Sequence, residues 1–235
     1  MLLIGDVHGD IVKYQRLIKR GRSSLQVGDL GLGFPDKYGA RMTNLFRRLD
    51  PKIHECHKVL RGNHDNPDVF LGHEYTDEFG KRHKILPLQS YLGDWGYLPD
   101  QDLFFMSGAF SIDKDWRTPL LDWWPNEELD TPTLRDVVEF FIRMQPRFVV
   151  THDCPLCIYP ELAGKGVIIP NNTALALDMM YLGHKPEKWY FGHWHQTKEI
   201  LHKDGTLFRC LAEYEAYEDP DIADFGPDVS QKITD

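Results

Sequence analysis

Cysteine is scarce, with four in 235 residues. A chain this long can bury a core without disulfides, and four scattered cysteines do not make a disulfide framework. Cys154 and Cys157 form a C-x-x-C, but no second pair completes a zinc knuckle. Long apolar runs are missing as well. None approaches the roughly 18 residues of a membrane helix, and no basic leader precedes the apolar opening Met1 to Ile4. The expectation is a cytoplasmic protein with no membrane partner. Positive charge is also short: 27 Lys and Arg against 36 Asp and Glu give a net charge of −9. That excludes a broad surface for duplex nucleic acid but leaves room for a local basic pocket. Internal repeats, low-complexity segments and linkers are absent.

What is present is ordinary globular composition, 42% hydrophobic and 27% charged, which suits one domain. The expected domain spans residues 1–211. Residues 212–235 read as an acidic, solvated C-terminal tail. Leu2 to Ile4 reads as a buried strand stopped by Gly5. Apolar residues at 11, 14, 17 and 18 have helical spacing, and Gly21 follows as a stop. Ser24 to Val27 is a second strand, Ala40 to Leu49 a helix, and Glu55 to Arg61 a third strand built on Val59 and Leu60. This β-α-β-α-β order implies a parallel sheet with helices on it. Between Tyr75 and Gly108, the runs Lys84 to Leu88, Trp95 to Leu98 and Leu103 to Met106 suggest antiparallel strands of a second sheet. Thr118 to Thr131 has no period and reads as an ordered loop. Leu134 to Met144 and Thr173 to Leu182 are helical. Arg147 to Thr151 and Trp189 to Phe191 are strands, and Lys198 to Leu211 is a hairpin turning at Asp204-Gly205.

Most of these strands stop at the same kind of feature. The first ends at Gly5-Asp6-Val7-His8, the second at Gly28-Asp29 and the third at Gly62-Asn63-His64-Asp65. Two later ones end at Thr151-His152-Asp153 and Gly192-His193-Trp194-His195. Strand ends are where open α/β folds place their chemistry, and parallel strands share one such edge. Asp6 with His8, and His193 with His195, are spaced i and i+2, which in extended backbone puts both side chains on one face. Each motif taken singly is more often turn chemistry. All five in this order, each after an apolar strand, are hard to produce that way.

The series Asp6-x-His8, Gly28-Asp29, Gly62-Asn63-His64-Asp65, His152 and Gly192-His193-x-His195 resembles the calcineurin-like metallophosphoesterases over residues 5–195. The resemblance implies an α/β (α+β) fold, a two-layer mixed β-sandwich flanked by α-helices. It implies two divalent metal ions at the strand ends. Asp6, His8, Asp29 and His195 would hold one; Asp29, Asn63, His152 and His193 would hold the other, with Asp29 bridging. His64 would sit by the scissile phosphate as the catalytic residue, assisting the leaving group, while a metal-bridging hydroxide attacks phosphorus. Imidazole and carboxylate donors suit manganese, iron, zinc, cobalt or nickel better than magnesium or calcium. The expected cofactors are two such ions, manganese first.

The second motif departs from the protein phosphatases, whose pattern runs Gly-Asp-x-Val-Asp/Asn-Arg-Gly. Here it runs Gly28-Asp29-Leu30-Gly31-Leu32-Gly33. The acid that orients the catalytic histidine and the arginine that clamps phosphate are both missing. Asp65 and Asp36 are candidates to support His64. Arg117, after the run Gly108 to Asp113, is a candidate for binding substrate phosphate, and Phe110 a candidate aromatic at its rim. Trp123 and Trp124 read more readily as packing residues. The expected activity is hydrolysis of a phosphodiester of a nucleotide or small nucleic acid. The alternatives are a phosphomonoesterase or protein phosphatase, and a non-catalytic scaffold of the same fold.

Overall fold

Alternation within short apolar strands sets the layers of this protein. The structure is a computed structural model that describes residues 1–226 apart from residues 36, 77–79, 165 and 167. The chain runs β1 (Leu2–Ile4), α1 (Ile11–Ile18), β2 (Ser24–Gln26), α2 (Lys37–Arg47), α3 (Pro51–Cys56), β3 (His57–Val59), α4 (Pro67–Leu71), β4 (His73–Thr76) and β5 (Arg82–Ile85). It continues through β6 (Trp95–Leu98), β7 (Leu103–Met106), α5 (Thr131–Met144), β8 (Phe148–Thr151), α6 (Tyr159–Ala163), α7 (Asn172–Gly183), β9 (Lys188–Phe191), β10 (Lys198–Leu201), β11 (Leu207–Cys210) and β12 (Ala216–Glu218).

One sheet has the order β12-β1-β2-β3, with β1, β2 and β3 parallel and β12 antiparallel. The other has the order β10-β11-β9-β8-β7-β6, parallel from β11 to β7 and antiparallel at both edges. Odd and even strand positions face opposite ways. Leu3, Leu25, Phe105, Val150 and Tyr190 therefore meet between the sheets. Leu2 and Ile4 face outward onto Tyr14, Leu17 and Phe46 of α1 and α2. Phe104, Val149 and Trp189 face outward onto Phe141 and Leu177 of α5 and α7. The result is the expected two-layer mixed sandwich with helices outside. Among the described residues, no helix is long and apolar enough to cross a membrane.

Several local expectations are corrected. Glu55 and Cys56, expected to open the third strand, lie instead in α3, because Pro51 opens the helix and Asp50 accepts a hydrogen bond from the Lys52 N–H at 2.9 Å. Among the described residues, the run near Lys84 pairs with β4 in a separate hairpin. β7 joins the second sheet through a parallel partner, β8. The solvated tail expected from residue 212 is overturned as far as residue 226. β12 pairs with β1, and Ile222 and Phe225 are buried between the sheets. Asp219 is buried too, bound by Lys188 at 2.9 Å and by the Tyr190 hydroxyl. The acids that suggested solvation are spaced so that apolar residues still reach the core. The remainder of that tail lies outside the described residues.

Candidate metal centre

The parallel strands of each sheet deliver their C-terminal ends to one edge, and the two sheets meet there. The Nδ1 of buried His152, after β8, donates to the Val27 carbonyl after β2 at 3.1 Å. The main-chain N–H of His193, after β9, donates to Asp6 Oδ2 at 3.1 Å. The i, i+2 argument is corrected in its geometry: the segments are not extended. His8, Asp29, His193 and His195 have φ of 46°, 55°, 64° and 51°, in the left-handed region that side chains seldom adopt. After β1, β2 and β9 the chain curls, and the curl aims these side chains at the common point. Strained backbone of this kind clusters at functional sites.

All seven residues expected as ligands arrive together. Ligand-type atoms of Asp6, His8, Asp29 and His195 lie within 4.8 Å of one another, as do those of Asp29, His152 and His193. Asp29 belongs to both groups. His8 Nε2 is 3.0 Å from His195 Nε2, and His195 Nε2 is 3.1 Å from Asp6 Oδ2. His152 Nε2 is 3.3 Å from Asp29 Oδ1 and 3.2 Å from Asn63 Oδ1. Because His152 Nδ1 is spent on a carbonyl, its Nε2 is the nitrogen left to bind a metal.

The residues present fit a pair of metal ions on an observation of their own. Asp29 Oδ2 is buried without a hydrogen-bond partner, a costly state unless something else binds it. Electrostatics agree. Burial would raise the Asp29 carboxyl, but the charges of His152 and His64 hold it well below the usual carboxylate range. Burial would lower His152, yet Asp29 lifts it to about 9. A proton on His152 thus sits against Asp29, where a cation is favoured.

Supporting residues come from outside the five motifs. Asn63 Nδ2 donates to Ser111 Oγ at 3.0 Å, and Ser111 is bound in turn by buried Glu127. Glu213 brings its carboxylate 3.5 Å from His8 Nε2 and 3.4 Å from His195 Nδ1. Its position just after the last hairpin was the available signal, but the acidic run around it reads as solvent-facing. Asp153, beside His152, turns away from the site: it accepts from Trp194 Nε1 at 3.1 Å and from the Tyr159 hydroxyl.

His64 is held by its main-chain N–H, which donates to Asp29 Oδ1 at 2.7 Å, and by Arg117 Nη2, 2.8 Å from its Nε2. Arg117 is 12% exposed and paired with Asp113 at 2.9 Å. Burial lowers the His64 pKa and Arg117 adds to that, against the pull of Asp29. The support expected from Asp65 is corrected. Its oxygens are taken by the N–H groups of Leu30, Gly31, Leu32 and Gly62 at 2.7 to 3.2 Å. It ties the second motif to the third instead, and burial together with Asp29 raises its pKa to about 7. Asp36 lies outside the described residues. Trp124 is buried edge-on against Phe34, as the packing reading expects, whereas Trp116, beside Arg117 in the chain, is 91% exposed. Phe110 does line the cleft. Burial drives the Cys154 thiol well above its ordinary pKa.

This geometry gathers two sets of ligand-type atoms that share Asp29. The model of the calcineurin-like phosphoesterases matches residues 1–197, and the chain belongs to that family. It is a metal-dependent phosphoester hydrolase. No curated protein sequence matches it. Among solved structures, a dimetal phosphatase from Danio rerio is similar at 11% identity and a TM-score of 0.46, over 91% of this chain and 88% of that one. GAP50, the anchor in the inner membrane complex of Plasmodium, is similar at 10% identity and 0.49, over 90% and 71%. The phosphopantetheinyl hydrolase of Mycobacterium tuberculosis is similar at 15% identity and 0.40, over 90% and 89%.

Proposed function

We propose that this chain hydrolyses phosphodiesters, with a nucleotide or small nucleic acid as substrate, in the cytoplasm. Asp6, His8, Asp29 and His195 hold one metal, and Asp29, Asn63, His152 and His193 hold the other, manganese being the first candidate. One observation carries the diester reading. His64 lines two clefts, of about 260 Å³ and about 280 Å³. The first runs over Asn63, Arg117 and His193, the second over His8, Gly31 and Tyr38. A phosphate at His64 has room for a substituent on either side, which a diester needs and a monoester does not. The first cleft is walled by Phe110, Ile112, Tyr159, Ile169 and Trp194, and Asp153 holds the polar edges of the tyrosine and tryptophan. Such a wall suits the flat face of a base. Four free cysteines suit a reducing compartment.

Two divalent ions would supply Lewis acidity and a nucleophile drawn from water. The protein's residues do the rest. Arg117 neutralises a phosphoryl oxygen, and its pairing with Asp113 keeps it at the mouth. Burial holds the His64 imidazole toward its neutral form, and its Nε2 accepts from Arg117 Nη2, so the N–H that would donate to the leaving oxygen is the one on Nδ1. Asp29 fixes the His64 backbone, so the imidazole keeps its place relative to the ligand set. Turnover of bis-p-nitrophenyl phosphate and p-nitrophenyl phosphate with Mn²⁺ tests this. Preference for the diester is expected. A strong preference for the monoester would overturn the reading in favour of a phosphomonoesterase.

A further inference from the structure

The two ends of an asparagine amide have nearly the same shape, and only their hydrogen-bond partners decide which one faces a cation. Asn63 Oδ1 must face the second metal position, because an N–H₂ there would point protons at a positive charge. What sets that choice lies two residues away in the hydrogen-bond chain. Asn63 Nδ2 donates to Ser111 Oγ at 3.0 Å. Ser111 Oγ donates to Glu127 Oε2 at 2.6 Å, and the Ser111 main-chain N–H donates to Glu127 Oε1 at 2.8 Å. Glu127 is 3% exposed, and its own carbonyl is pinned by Arg61 Nη1 at 2.9 Å.

The direction of this chain follows from chemistry. A carboxylate has no proton to give, so the Ser111 hydroxyl proton must point at Glu127. That leaves a lone pair of Ser111 Oγ facing Asn63, and a lone pair accepts N–H₂. The amide oxygen is then forced to the other side, where it lies 3.2 Å from His152 Nε2. We infer that Glu127 is a positioning residue which, through Ser111, holds the oxygen of Asn63 rather than its nitrogen toward the second metal position. The inference rests on the proposed assignment of Asn63 as a metal donor.

Glu127→Gln separates direction from shape. A glutamine amide can donate to Ser111 Oγ, which frees the serine proton to donate to Asn63 and turns the amide nitrogen toward the metal. Isothermal titration of the full chain with Mn²⁺ reads the outcome. Wild type is expected to take two equivalents. Glu127→Gln should keep the first and weaken the second by about 10–100-fold, the size of other losses behind a ligand. The double variant Glu127→Gln, Asn63→Asp should recover the second equivalent, since a carboxylate offers oxygen whichever way it lies. A purely structural role for Glu127 predicts no such rescue. If Glu127→Gln lowers the melting temperature of the metal-free protein by more than about 10 °C, Ser111→Ala takes its place, with the same selective loss expected. Two equivalents at wild-type affinity in these single variants, or no recovery in the double variant, would overturn the inference while leaving the metal assignment standing. A wild type that takes no second equivalent would overturn that assignment, and the inference with it.

Discussion

Gly62 illustrates how little slack the site has. A methyl group there would fall on Asp29 Oδ1 and His152 Nε2, and one at Gly192 would fall on Asp6 Oδ1. These glycines read in the sequence as strand stops; their physical reason is the close approach of backbone to ligands. Gly62→Ala is therefore expected to displace Asp29 or His152 and to leave the protein with less bound Mn²⁺ after dialysis, measured by plasma mass spectrometry. Overpacking of this kind typically costs about 1–3 kcal/mol as well. His64 is the contrasting case. It touches Arg117 and the edge of both clefts but belongs to neither group of ligand-type atoms. His64→Ala should keep full metal content and lose about 10²–10⁴-fold in kcat, the range for a proton-transfer or leaving-group residue. Loss of metal along with activity would show that the imidazole holds an ion. Asp6, His8, Asp29, Asn63, His152, His193 and His195 were all legible as candidates because their residue types recur after apolar strands. Ser111, Glu127 and Glu213 were not, because a side chain that acts through another residue leaves no spacing in the sequence.

Helices and strands divide in the same way. α1 and α5 bury Ile11, Tyr14, Leu17 and Ile18, and Leu134, Val137, Val138 and Phe141, as their helical spacing predicts. β12 was missed, since three residues among acids carry no period. It nevertheless closes the first sheet and brings Ile222 and Phe225 between the layers. Each such side chain contributes roughly 1.5–3 kcal/mol on burial. Deleting residues 212–235 should thus cost at least about 3 kcal/mol and lower the melting temperature by roughly 6–12 °C. The deletion also strips Lys188 and Tyr190 of Asp219. Thermal unfolding followed by circular dichroism checks this, and an unchanged midpoint would contradict it.

Over the whole molecule, a net charge of −9 coexists with a site that collects histidine and arginine. In the metal-free protein a proton on His152 pairs with Asp29. His152 rises from the ordinary value of 6.5 to about 9 in the fold. The stability its proton contributes is fully present below about pH 6.5 and is lost as pH rises through about 9. Metal binding has the opposite dependence, because a ligand imidazole must be neutral. Mn²⁺ uptake should release a proton and tighten between pH 6 and 8, by up to about tenfold per unit for that proton. Calorimetry in two buffers of different ionisation heat measures the release; uptake with no proton exchange would refute it.

By itself the sequence determined the strands, the main helices, the order of the five motifs and the chemistry of their donors, because hydrophobic period and residue type are local properties. Tertiary structure decided how those donors aim. Left-handed backbone at His8, Asp29, His193 and His195, the folding of residues 213–226 onto the first sheet, and the reach of Glu127 through Ser111 to Asn63 all depend on segments far apart in the chain. Their hydrogen bonds and burial exist only once the two sheets have packed, so no local pattern could encode them.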